Sequence, residues 1–206
     1  MMPRGSRVRS HPFRGARAVA ALSAHVRTLI DAIRQYLAQH PELPRDTKFW
    51  VCDFVIRQST RQLDVAMNDV KRLGDCVRAG GHTVLLMEPF YNPKPLRRAY
   101  CIKEVYHTQA SGARFAVVMS REQQAAFETA LTDDFDSIAL QLSRVDVRTA
   151  QCRKPEETDA ILGELDREVG LVECNKVVRG LLNGALAAQG IAALERLPAA
   201  DERRPQ

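Results

Sequence analysis

Residues 82–109 read HTVLLMEPFYNPKPLRRAYCIKEVYHTQ, and this order of residue types constrains the fold more than any other stretch. The run 83–87, TVLLM, is apolar and too short for a helix, so it reads as a buried strand. Pro89, Pro93 and Pro95 then hold the chain out of regular structure. Pro95 suits the first turn of a helix, which the spacing predicts over 96–108. Strand, loop and helix in that order form part of a parallel βαβ unit. The loop and helix start lie at the carboxyl edge of such a sheet, where open α/β sheets bind ligands.

The same alternation continues in both directions. Leu22, Val26, Leu29, Ile30, Ile33 and Leu37 fall on one face of a helix predicted over 18–39, with Arg27, Asp31, Arg34 and Gln35 opposite. Pro41 and Pro44 end it. Residues 49–56, FWVCDFVI, predict a strand, and a continuous apolar run favours a sheet covered on both faces. A helix over 59–79 carries Leu63, Met67, Val70 and Leu73 and stops at Gly80-Gly81. Residues 113–119 predict a third strand. Ser120 suits an N-cap, with Gln123 at the capping-box position, for a helix over 121–131. An acidic turn at 133–136, a short helix at 137–142 and a weak fourth strand at 145–147 follow. Helices over 158–169 and 172–188 complete the pattern. The expectation is a single α/β domain over 18–190, between a basic segment 1–17 and a polar tail 191–206.

A chain of 206 residues can bury the core of one ordinary domain. No apolar run approaches the length needed to cross a bilayer, so no membrane partner is expected. The net charge of +5 is local: residues 1–30 hold six arginines and no acid, which leaves the remainder at −1. That start has the composition of a transit peptide; a basic tail and a gene product beginning inside a domain are the competing explanations. With no interleaved aromatics and no recognisable binding fold, specific nucleic-acid binding is not expected. Five cysteines without a CxxC pair read as reduced thiols of a cytoplasmic protein, and no metal site is expected. No glycine-rich phosphate loop is present, since Gly80-Gly81 precedes a strand.

Two segments, FWVCDFVIRQ and LRRAYCIKEVYHT, carry a resemblance. The chain resembles a TIR-like family of α/β domains in algal and protist proteins, often placed ahead of tetratricopeptide repeats, and is similar to fungal heterokaryon-incompatibility domains. Trp50, Asp53 and Gln58 match the family's strand pattern, with Arg57 where Asn is common. Cys101 and Glu104 match a helix that in TIR domains begins Trp-Cys, with Tyr100 standing for the Trp. The resemblance implies a flavodoxin-type parallel sheet of four to five strands. Its first strand is either missing or reduced to a remnant near 9–13. It implies a signalling or scaffold module acting by homotypic association with protein partners.

Catalytic members of that superfamily imply an alternative, an NAD glycohydrolase. Loss of nicotinamide leaves positive charge on the ribose, which a carboxylate stabilises. Glu104 would be that carboxylate, with Asp53, Tyr91, Arg97, Arg98 and Tyr100 as substrate-binding residues. NAD enters as substrate, and no cofactor is implied. Simpler explanations exist for each. A solvated helix face with local ion pairs accounts for Glu104, Lys103, Arg97 and Arg98. Cys101 reads as a small buried hydrophobe, Asp53 as a turn cap, and Phe49 and Trp50 as core.

Overall fold

The computed structural model describes residues 17–19, 26–51 and 72–196. Its centre is a parallel sheet of three strands in the order β1-β2-β3: β1 Arg17–Val19, β2 His82–Leu86 and β3 Arg114–Val118. Arg17 pairs with Thr83, and Leu86 with Val118. All five residues of β2 are buried, as its uninterrupted apolar run requires.

Alternation along the strands sorts the core into two layers. Val84, Leu86 and Val118 face helix α1, Val26–Gln39, where they meet Leu29, Ala32 and Tyr36. Leu85, Met87, Val117 and Met119 face the other side, into the larger cluster around Ile102, Phe127 and Leu182. Each fully buried aliphatic side chain contributes about 1.5–3 kcal/mol.

Helix α2, Leu73–Gly80, ends where Gly81 turns left-handed at φ 65°, its N–H bonding the Val77 carbonyl. A side chain would be strained in that conformation, so glycine stops the helix there. A short 3₁₀ turn, Lys94–Arg97, leads into α3, Ala99–Ala110. Eight of the twelve residues of α3 are buried, Lys103 and Glu104 among them. A helix buried nearly all round is a core helix, and this one is walled by the sheet, α2 and the last two helices. These are α6, Pro155–Glu168, and α7, Leu171–Glu195. Before them come α4, Arg121–Asp133, and α5, Phe135–Ser143.

Several expectations are corrected. The helix read over 18–39 starts at Val26, and Ala18 and Val19 instead pair with Val84 and Leu85. A strand thus lies beside β2 at Arg17–Val19, and the first-strand remnant expected near 9–13 lies outside the described residues. Residues 145–147 are no strand; Val147–Thr149 forms a 3₁₀ turn, capped by Asp146, whose side chain accepts from Arg148 N. That local bond competes with ladder pairing, and the neighbourhood keeps one isolated parallel bridge, Arg98 to Gln151. Among the described residues the sheet has three strands. Of the strand read over 49–56, residues 49 and 50 are irregular, Val51 sits in a single bridge, and the rest lies outside the described residues. So do residues 59–71 of the second helix.

The acidic turn at 133–136 is a junction at Asp134, whose side chain caps α5 by accepting from Ser137 N. Ser120 caps α4 as expected, accepting from Gln123 N. Gln123 does not complete the capping box; its Oε1 accepts from Phe90 N at 2.9 Å, tying the proline loop to α4. Finally, α7 is long and apolar enough to cross a membrane by length and composition, which the sequence reading missed. Its Cys174, Val178 and Leu182 are fully buried in the core.

Candidate functional site

Strands β2 and β3 end at Leu86 and Val118, and the residues just past them define the carboxyl edge of the sheet. There Ser120 Oγ donates to Glu88 Oε2 at 2.9 Å. Opposite them α1 presents Arg27, Thr28, Asp31 and Arg34, one polar face at helical spacing. Arg121 and Glu122, in the first turn of α4, close the ring around a cleft of about 680 Å³. Three arginines and three carboxylates line it together with Ile30, so its charges nearly cancel beside an apolar wall.

A second cleft, about 540 Å³, opens beside the proline loop between Tyr91, Arg97, Arg144 and Gln151. Tyr91 is 52% exposed. Arg97 Nε reaches Asn92 Oδ1 at 3.3 Å. The carboxylate of Asp146 on its wall is gripped by Arg148 at 2.7–3.1 Å, which lowers the Asp146 pKa.

The residues expected to form one site are divided among different places. Tyr91 and Arg97 share the second cleft. Arg98 is half-buried at the foot of α3. Tyr100 is buried and turns toward α6, donating to Glu157 Oε2 at 2.9 Å; burial, then this carboxylate, push its phenol well up. Asp53 lies outside the described residues. Glu104 is 1% exposed, and it lines none of the described clefts. The solvated face expected for Lys103 and Glu104 is overturned, because both lie on the part of α3 packed into the core. Lys103 is fully buried and its Nζ lies 2.6 Å from Glu164 Oε2. Cys101 is fully buried, as expected of a small hydrophobe. Burial also pushes the Cys152 and Cys174 thiols up to about 11, which keeps them protonated and unreactive near neutral pH.

At the opposite, amino edge of the sheet, Tyr36 Oη lies 3.1 Å from His82 Nε2, and Arg114 Nη2 3.3 Å from His82 Nδ1. Burial, reinforced by Arg114, holds His82 down to about 4. Burial raises Tyr36 to about 12. This cluster joins α1 to β2 and β3. No group of His, Cys, Asp and Glu suited to a metal ion occurs among the described residues.

Fold and cleft together define an α/β protein: a parallel sheet with helices on both faces and a polar cleft at its carboxyl edge. No family model matches the chain, and neither a curated protein nor a solved structure does.

Sequence reasoning missed Arg27, Asp31, Arg34, Glu88 and Ser120 as cleft residues. The available signal was that α1 follows β1 while Glu88 and Ser120 follow β2 and β3, which places all of them at one edge.

Proposed function

We propose that the chain is a TIR-like signalling or scaffold module that acts by homotypic association, on a flavodoxin-type sheet of four to five strands. One observation carries this reading. Helix α1 has a second apolar stripe beside its buried one. Val26, Ile30 and Leu37 recur at helical spacing and are 57%, 44% and 37% exposed. A contiguous apolar stripe left in solvent marks an interaction surface. Sedimentation velocity over a range of concentrations tests the reading: the sedimentation coefficient rises with concentration if it holds and stays at the monomer value if it does not.

The second reading, NAD glycohydrolysis with Glu104 as the catalytic carboxylate, is favoured by the three arginines in the carboxyl-edge cleft, which suit a pyrophosphate. It requires substrate to reach a side chain enclosed within α3. Incubation with NAD separates the two readings. Nicotinamide release that disappears in Glu104→Gln supports the enzyme; absence of release from folded, concentrated protein supports the module.

A further inference from the structure

Helices α4, α5 and α7 leave a groove of about 600 Å³ between them, away from the sheet edge. Its walls are Phe127, Leu131, Ile138, Leu142 and Leu186, and polar groups gather at one end, where Ser143, Arg179 and Asn183 meet. Pockets of this size and makeup, mostly hydrocarbon with a few placed polar groups, hold small molecules. Gly190 widens the groove opposite Leu131: a methyl group at this position would sit 3.6 Å from the leucine side chain.

Arg179 gives the groove its chemical selectivity. Its Nε donates to the Val145 carbonyl at 2.7 Å, which fixes the guanidinium at the polar end. Arg179 also acts at longer range on Asp146, whose pKa its charge helps to lower, without forming a direct ion pair with it among the described residues. The neighbouring acid, Asp146, is already held by Arg148. A planar cation with N–H groups to spare, set at the end of a hydrocarbon channel, complements one anionic head on one apolar body.

We propose that this groove binds a small amphiphile carrying a single carboxylate. The acid pairs with Arg179, and the hydrocarbon chain lies against Phe127, Leu131, Ile138 and Leu186. The site is independent of the α1 surface.

The test is titration of the full chain with octanoate, 1-octanol and octylamine, followed by calorimetry and amide chemical shifts. Octanoate is expected to saturate one site per chain, about tenfold or more tighter than octanol, the difference made by one charged hydrogen bond. Octylamine is expected to bind more weakly still. Arg179→Gln should reduce octanoate to the level of octanol and leave octanol unchanged. Ala187→Trp places a large side chain into the groove from an exposed position and should abolish binding of both, with circular dichroism unchanged. Three results would overturn the proposal: no shifts at millimolar octanoate, equal affinity for octanoate and octanol, or undiminished binding in Ala187→Trp. The first is also what a groove occupied by a second copy or a partner helix would give.

Discussion

Lys103 Nζ lies 2.6 Å from Glu164 Oε2, joining the core helix α3 to α6, with the lysine side chain 1% exposed and the glutamate 24%. The contact is a close ion pair not aligned as a hydrogen bond. Removing Glu164 strands a cation in the core, whereas removing Lys103 leaves a carboxylate that still reaches water. Glu164→Ala should therefore destabilise the fold by about 3 kcal/mol, the low end for a broken buried pair. Lys103→Met, similar in volume, should cost less than half as much. Urea denaturation of both variants measures the asymmetry, and equal losses would contradict it.

Gly74 in α2 faces His107 in α3, and a Cβ built there would lie 3.2 Å from ring atoms Cε1 and Nδ1. Alanine would otherwise favour the helix by about 1 kcal/mol. Gly74→Ala should be destabilising in the native chain, because the half-buried ring must move. In the His107→Ala background the same change should stabilise. A thermal-melting cycle over the four proteins gives the coupling, and additive effects would show that the ring yields freely.

His82 titrates near 6.5 when unfolded and near 4 when folded, because burial and then Arg114 oppose its charge. Between those values the unfolded chain binds more protons. Stability from this group is therefore complete above about 6.5 and is lost as pH falls toward about 4. His82→Gln should be less stable at pH 7 and should show a shallower fall in Tm across that window. Parallel Tm–pH curves for the two proteins would contradict the assignment.

Ser120 holds two structures with one hydroxyl: it caps α4 at Gln123 N and donates to Glu88. Ser120→Ala should cost about 1 kcal/mol, the usual loss for an N-cap. Ser120→Asp keeps a cap acceptor but sets a second carboxylate against Glu88, so its stability should recover only as pH is lowered through the carboxylate range. Chemical denaturation at two pH values decides the point.

The strands read over 83–87 and 113–119 were legible because the runs VLLM and FAVVM are apolar on both faces and too short for a helix. The three-residue β1 was not. Arg17 and Ala18 are weak strand formers, and Val19 alone is too short a signal; pairing with the buried β2 defines the strand. Val145 and Val147 misled in the opposite sense: β-branched residues suggested a strand, but the Asp146 side chain closes a local turn.

Burial of Lys103 and Glu104 was illegible because charged residues almost never sit fully inside unless paired, and the partner Glu164 lies on another helix. The carboxyl-edge cleft was hidden for a related reason. Arg27, Asp31 and Arg34 form the same pattern whether they face solvent or a cleft, and only the sheet order brings Glu88 and Ser120 opposite them.

Association through the exposed stripe of α1 is tested most directly by analytical ultracentrifugation of the wild-type chain and Ile30→Glu at matched concentrations. Ile30 is 44% exposed, so the substitution should leave the circular dichroism spectrum and Tm unchanged. The wild-type mass is expected to rise with concentration while Ile30→Glu stays monomeric. A wild-type chain that remains monomeric at high micromolar concentration, or an Ile30→Glu chain that assembles equally well, would contradict it.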